Sequence, residues 1–329
     1  MNDTDSALAL PELGMGCWSF AGGQYWGDQP RQASIRTVHA ALDAGVTLFD
    51  TAENYVDDHH SEEVLGEALA GRRDEALIAT KVSTKNLRRD DLIASAEASL
   101  RRLGTDRIDL YQIHWPNWEI PLAETAEAVD SLLDSGKIRA FGVCNFGPVD
   151  LAELIEIRRP VSDQMAYNLL WRGVEDQVVP ILLREGIDLM CYSPLAQGLL
   201  TGRYGSADEV KGGLASSRIF SSGRGTATHG DPGFESEAFD AISLLLGLAK
   251  EHAVEPAQLA IAWNLAQPAV STVLVGAQRP EEIESMAAWV HGGTDHVSEA
   301  IDQLTQRSAP LKEKLGGNLD MWVTGGRIR

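Results

Sequence analysis

Four ionisable residues of different kinds stand at or just past the ends of short apolar runs: Asp50, Tyr55, Lys81 and His114. Brought together, they form a coherent acid/base set. A buried ammonium needs a counter-charge, and Asp50 can supply one to Lys81. Lys81 in turn favours the phenolate of a nearby tyrosine and lowers its pKa from about 10 toward neutrality. Tyr55 could then donate a proton, while His114 hydrogen-bonds a carbonyl oxygen and orients it. Singly, each residue has a plainer use. An Asp at a strand end caps or turns the chain, a Lys there is a solvated charge, and a His or Tyr packs. The four together, at the same end of three neighbouring runs, point to catalysis.

Such a meeting requires elements that end side by side. Strands are expected at Leu13–Cys17, Val46–Asp50, Leu77–Lys81, Ile108–Ile113, Ile138–Val143, Val161–Ala166, Ile187–Tyr192 and Val270–Val275. Amphipathic stretches lie between them, near Arg31–Ala44, Ser61–Ala70, Asp90–Leu103, Leu122–Ser135, Pro148–Ile157, Val174–Arg184 and Pro256–Ala266, with a last one near Pro280–Trp289. Gly45, Gly71, Gly104 and Gly136 each follow a helical run, where a C-cap glycine belongs. Strands alternating with helices imply a parallel sheet with covered faces. Eight such units give an α/β fold, a closed (β/α)8 TIM barrel, in which chemistry sits at the C-terminal strand ends. One connection breaks the rhythm. The segment 202–233, rich in Gly and Ser, reads as a long flexible loop, and Ser236–Glu251 reads as an extra helix between strand 7 and helix 7. A loop of that length in a compact domain is usually a lid or a binding loop.

The remaining sequence bounds the setting. Among 329 residues, 28 Lys+Arg face 48 Asp+Glu, a net charge of −20 that argues against nucleic acid and against anionic membrane surfaces. Cys17, Cys144 and Cys191 lie in separate apolar segments without a CxxC, which suits a reducing compartment. MNDTDSALAL lacks the basic and apolar regions of a signal peptide. No run reaches the length of about 18 apolar residues that a membrane span needs. A cytoplasmic protein is expected, with one barrel domain over 1–329 and a C-terminal tail at 308–329. The sequence sets no oligomeric state.

The chain resembles an aldo-keto reductase over nearly its whole length, in its bacterial branch and in the branch of potassium-channel β-subunits. The residues that carry the likeness are Phe49-Asp50-Thr51-Ala52 with Tyr55, Ala79-Thr80-Lys81, Gln112-Ile113-His114, Gly142-Val143-x-Asn145-Phe146, Gln164 with Tyr167-Asn168, and Tyr192-Ser193-Pro194-Leu195. The resemblance implies a barrel that binds a nicotinamide dinucleotide without a Rossmann fold, and no GxGxxG lies between a strand and a helix here. It places the catalytic tetrad on Asp50, Tyr55, Lys81 and His114, with Tyr55 as the general acid/base. It places the carboxamide contacts on Asn145 and Gln164, the ring-stacking aromatic on Tyr192, and further cofactor contacts on Gly16, Cys17, Trp18 and Asp50. The pyrophosphate segment falls on Ser193, Leu195, Gln197, Gly198 and Leu199. The adenosine segment falls on Gly276, Gln278, Arg279 and Glu282.

The chain departs from the family pattern in places. Cys144 stands where a Ser is usual; it counts among the cofactor contacts as a weak donor, though a small buried residue is the simpler reading. Val56-Asp57-Asp58-His59-His60 intervenes after Tyr55. Adjacent histidines point apart, so no metal is expected, and the segment rims the substrate pocket. Arg279 either pairs with a 2′-phosphate or is an exposed Arg at a helix start. Ser285-Met286 replaces the usual adenine-contacting Glu-Asn. NADP(H) is the expected cofactor ahead of NAD(H), and Arg203, Arg218 and Arg224 are further candidate phosphate partners.

Trp18, Trp26, Tyr55, His114 and Trp115 are expected to line the substrate pocket. Trp118 and Trp171 lie in similar loops, whereas Trp263 and Trp289 fall in helices and read as core. Such aromatic walls suit apolar or sugar-ring substrates. The expected activity is hydride transfer between a nicotinamide and the carbonyl or alcohol carbon of an aldehyde, ketone or sugar. A polyol dehydrogenase working in the oxidative direction, a redox-sensing channel subunit and an unrelated barrel using Lys81 as a Schiff base are the competing readings.

Overall fold

The computed structural model describes residues 8–224, 227–315, 317–324 and 326–329. Eight parallel strands close into a barrel in chain order: β1 Leu13–Gly16, β2 Leu48–Asp50, β3 Leu77–Val82, β4 Ile108–Ile113, β5 Ile138–Cys144, β6 Ser162–Ala166, β7 Asp188–Tyr192 and β8 Val270–Gly276. Closure is made by β8 against β1, with Val273 opposite Leu13 and Gly276 opposite Gly16. The helices around it are α1 Gly23–Trp26, α2 Arg31–Asp43, α3 Ser61–Ala68, α4 Arg89–Leu103, α5 Leu122–Asp134, α6 Pro148–Ile155, α7 Val174–Gln177, α8 Val179–Glu185, α9 Glu235–Glu251, α10 Pro256–Leu265, α11 Pro280–His291, α12 Ser298–Ser308 and α13 Leu311–Lys314.

Strand pleating sorts the site from the core. Side chains alternate between the barrel interior and the helix layer. Inside, Leu48, Ala79, Leu110, Ala140, Met190 and Leu274 form one apolar layer, with Leu8 and Leu10 packed against it. Two residues further along each strand, the same inward face carries Asp50, Lys81, Gln112, Gly142, Tyr192 and Gly276. One apolar floor thus supports one polar layer at the C-terminal mouth. Gly142 is small for a reason: a Cβ there would come within 2.7 Å of Ser162 Oγ and 3.3 Å of Gln112 Cγ. The outward-facing residues, among them Met15, Phe49, Ile78 and Val143, bury against the helices in the larger core.

The fold departs from the sequence reading in a few places. The helix expected over Val174–Arg184 is broken at Val178 into α7 and α8, because Pro180 lacks an N–H and cannot continue a turn. Helix α12 was not expected; it packs beside α9 and α10, outside the βα alternation that revealed the others. The segment 202–233 is not an open loop. It has short turns at Ala207–Glu209 and Gly212–Ser216, and Val210, Ala215, Ile219 and Phe220 are buried. No helix of the described residues is long and apolar enough to cross a membrane.

Candidate active site

Asp50, Tyr55, Lys81 and His114 meet at the mouth. Lys81 Nζ donates to Asp50 Oδ1 at 2.5 Å, to the Thr51 carbonyl at 2.8 Å and to Tyr55 Oη at 3.3 Å. The His114 ring meets the Tyr55 ring edge-on, with centroids 5.6 Å apart. Trp18 stacks on the other side of Tyr55 at 5.9 Å and meets Trp26 edge-on at 5.2 Å. The second oxygen of Asp50 accepts from Gln112 Nε2 at 3.1 Å and from Gln164 Nε2 at 2.8 Å. Both oxygens of a buried carboxylate are therefore satisfied, which is what makes its burial tolerable.

The electrostatics follow from burial. Burial pulls the Lys81 ammonium down, but Asp50, Tyr55 and Cys144 outweigh it and hold the group above its ordinary range. Lys81 therefore stays charged. Burial is also the largest influence on Tyr55, and Lys81 offsets only part of it, so the phenol is pushed up to about 12. This corrects the expectation that Lys81 would bring Tyr55 below its usual value: loss of solvent outweighs one neighbouring cation. Burial, then Lys81 and Arg327, hold His114 well below its usual range, so its imidazole is neutral. Its Nδ1 is buried without a hydrogen-bond partner among the described residues, which leaves Nε2 for the cavity. Lys81 lies behind Tyr55 with no exposed surface. A protonated, thrice-bonded amine in that position offers no nucleophile to a substrate, against the Schiff-base reading.

A cavity of about 760 Å³ opens over this cluster. Trp18, Trp26, Tyr55, His114 and Trp115 line it, and so does Trp322 of the tail. Asp50, Cys144, Asn145, Gln164 and Tyr192 form its inner wall, followed by Ser193, Leu195, Gln197 and Gly198. Gly16, Gly276, Gln278 and Glu282 lie farther along. Tyr192 Oη donates to Asn145 Oδ1 at 2.9 Å, and Asn145 Nδ2 donates to the His114 carbonyl at 3.1 Å. Cys144 is buried and its thiol is pushed up by burial, so it is a weak donor beside Gln164 Oε1 at 3.8 Å.

The backbone after β7 turns left-handed at Ser193, Ala196, Gln197 and Gly198. Successive turns of this kind gather backbone N–H groups into concavities that suit phosphate. An elongated cavity with an aromatic wall, an amide pair and such a turn has a donor set that fits a dinucleotide.

Several expected contacts do not reach the cavity. Cys17 faces the helix layer, because the pleat that turns Gly16 inward turns its neighbour outward; its Sγ donates to the Met15 carbonyl. Leu199 is buried beneath its segment. The Arg279 side chain is 72% exposed and bonded to Glu282, which also accepts from the N–H groups of Gln278 and Arg279 at the start of α11. Arg224 pairs with Glu235 and Arg218 with Asp231, so neither is free for a phosphate; Arg203 does line the cavity. Trp171 is core, with its indole N–H on the Leu319 carbonyl, and Trp118 lies half exposed outside the cavity. Trp263 is buried as expected, whereas Trp289 lines the cavity, because α11 turns that face toward it. The segment 56–60, expected to rim the pocket, does not line the cavity; its Asp58 and His59 N–H groups donate to the Ala21 carbonyl, and no group of three or more metal-type ligands occurs among the described residues.

Sequence reasoning did not name Gln112 as a site residue. Gln112 was legible, since it follows Leu110 by two positions as Asp50 follows Leu48.

The Aldo/keto reductase family profile matches residues 12–306. The chain is 35% identical over 298 residues to the aldo-keto reductase YhdN of Bacillus subtilis, covering 86% of each. It is 31% identical over 309 residues to an NADH-specific methylglyoxal reductase of Escherichia coli, covering 85% of this chain and 90% of the other. It is 31% identical over 296 residues to a probable voltage-gated potassium channel subunit beta of Arabidopsis thaliana, covering 85% and 87%. Among solved structures, an aldo-keto reductase of Klebsiella pneumoniae in complex with NADPH superposes with a TM-score of 0.70 at 28% identity, covering 90% of each chain.

Proposed function

The chain belongs to the aldo/keto reductase family, a family of nicotinamide-linked oxidoreductases, and on that premise we propose that it reduces the carbonyl of a small aldehyde, ketone or sugar. The observation that carries this reading is the Tyr55 phenol, fixed between a charged Lys81 and a neutral His114 at the floor of an aromatic cavity. A reduced nicotinamide held along Tyr192, Asn145 and Gln164 would supply the hydride. Tyr55 Oη supplies the proton to the carbonyl oxygen, so the substrate gains a hydride on carbon and a proton on oxygen. His114 Nε2–H, on a ring that burial keeps neutral, hydrogen-bonds that oxygen and aims it. Lys81 stabilises the phenolate left behind, and Asp50, fixed by Gln112 and Gln164, keeps the ammonium in place. Trp18, Trp26, Trp115 and Trp322 exclude water and favour substrates with a flat or apolar face.

We read NADP(H) as the preferred cofactor. Arg203 lines the cavity, and Arg279 stands at the start of the helix whose Glu281, Ser285 and Met286 line it, so a bound 2′-phosphate could draw Arg279 from Glu282. The Klebsiella neighbour holds NADPH, while the Escherichia relative is NADH-specific, so the ratio of affinities is informative. The test is a titration with NADPH and NADH, followed by a turnover screen of aldehydes, ketones and sugars. Consumption of reduced cofactor with an aldehyde supports the reading. Binding of neither cofactor overturns it.

A further inference from the structure

Arg218 lies in the long β7–α9 connection, and only 6% of its surface is exposed. Nε donates to Asp231 Oδ2. Nη1 donates to the carbonyls of Asn318 and Asp320, each at 3.0 Å, and Nη2 to that of Leu315 at 3.3 Å. Its backbone N–H donates to the Met321 carbonyl at 2.9 Å, and its guanidinium lies 5.4 Å from the Trp171 ring centroid. Every bond but the one to Asp231 runs to the C-terminal segment.

What this fastening holds lies in the active-site wall. Asp320, whose carbonyl Arg218 takes, accepts the Trp322 N–H on Oδ1 at 2.9 Å and receives the Arg327 guanidinium at 2.7 and 3.0 Å. Arg327 lies 3.8 Å from the Trp115 ring centroid. Trp322 and Trp115 both line the cavity over Tyr55 and His114. From the same connection, Thr228 Oγ1 donates to the Trp322 carbonyl at 3.0 Å and Gly230 N–H to Thr324 Oγ1 at 2.7 Å. On its other side the segment borders a second cavity of about 640 Å³, lined by Trp171, Arg218, Phe234, Leu315 and Ile328. Leu315, Leu319 and Met321 anchor the segment in the core by packing, while the Arg218 bonds fix the direction of its backbone carbonyls.

We infer that Arg218 is a positioning residue for the carbonyl pocket: by fastening the C-terminal segment to the β7–α9 connection, it holds Trp322 and Trp115 where they enclose the substrate. One planar guanidinium reaches three carbonyls and a carboxylate at once, which an ammonium cannot do. The inference rests on the carbonyl-reductase reading above and adds a second requirement to it, a tail held in one place.

The test uses the full chain, with Arg218→Lys, Trp322→Ala, the double variant and Thr228→Val. KM and kcat are measured at saturating NADPH for the best carbonyl found, and NADPH affinity by calorimetry. Arg218→Lys is expected to raise KM about tenfold, with kcat within about twofold and NADPH affinity unchanged. Trp322→Ala should do the same, and the double variant should be no worse than the poorer single, because both remove one wall. Thr228→Val, which removes only an exposed hydroxyl, should raise KM less and in the same direction; it carries the test if Arg218→Lys does not fold. Unchanged KM in Arg218→Lys and Thr228→Val overturns the inference. So does a KM rise matched by weaker NADPH binding, which would mean general loosening, or effects that multiply in the double variant. A wild-type protein that binds NADPH but reduces no carbonyl overturns the functional reading instead. The fastening is then read from hydrogen exchange at 318–323, which should quicken in Arg218→Lys while β7 stays protected.

Discussion

Gln164 on β6 reaches across the barrel mouth and donates its side-chain amide to Oδ2 of Asp50 on β2, at 2.8 Å. This bond joins the catalytic cluster to the inner wall where a nicotinamide would lie. The amide nitrogen of Gln164 is thereby committed to Asp50, and its Oε1 is what faces Cys144. One carboxylate, bonded by Lys81, Gln112 and Gln164, organises the whole floor of the cavity.

Tyr55→Phe keeps the ring against Trp18 and removes only the hydroxyl. Carbonyl reduction should fall by about 10²–10⁴-fold, the usual worth of positioned proton transfer. NADPH affinity should stay within about twofold, since the bonds lost are those to Lys81 and substrate. Steady-state kinetics and calorimetry check this, and undiminished turnover excludes Tyr55 as the proton donor.

Lys81→Met leaves the Asp50 carboxylate buried without its cation. Breaking a buried pair from one side costs about 3–5 kcal/mol, and urea unfolding should show a loss of that order together with loss of turnover. Lys81→Met combined with Asp50→Asn removes both charges, so it should recover much of the stability and none of the activity. A double variant no more stable than Lys81→Met would show that the pair is not what the floor depends on.

The Tyr55 phenol, raised to about 12 mainly by burial, sets an alkaline limit. The protonated form is favoured on folding, so its contribution is complete below the ordinary tyrosine value of about 10. It is lost as pH rises through about 12. Absorbance titration of cofactor-free protein should show a late phenolate transition that Tyr55→Phe abolishes. A transition at neutral pH would contradict the account.

His114 is shifted the other way, mainly by burial. Its neutral form is favoured on folding; that contribution is present above the ordinary value of about 6.5. It disappears only as pH falls through the much lower folded value. The His114 ring resonances should therefore not titrate between pH 7 and 6, and kcat/KM should carry no step from this group there. A break near pH 6.5 that vanishes in His114→Gln would sink the assignment of a neutral imidazole.

Arg279→Ala should weaken NADPH binding by about tenfold and leave NADH binding within twofold, as expected for one charge-assisted contact to a 2′-phosphate. Equal effects on both cofactors would mean that Arg279 acts only through Glu282 and the start of α11.

The sequence by itself determined the alternation of strands and helices, and with it the barrel. The periods of two and 3.6 are local properties, and each strand announces itself within a few residues. The same parity placed Asp50, Lys81 and Gln112 on one face, since each follows an inward apolar residue by two. What only the tertiary structure decided depends on partners far apart in the chain. The pleat sends the neighbours Gly16 and Cys17 to opposite faces, but closure of β1 between β2 and β8 decides which face lines the cavity. Whether Trp171 or Trp322 lines the pocket is settled by Arg218 and the tail carbonyls it takes, about a hundred positions away. Even the direction of the Tyr55 shift was hidden, because a charge pair can be read from spacing, whereas desolvation is the sum of everything that packs around the group.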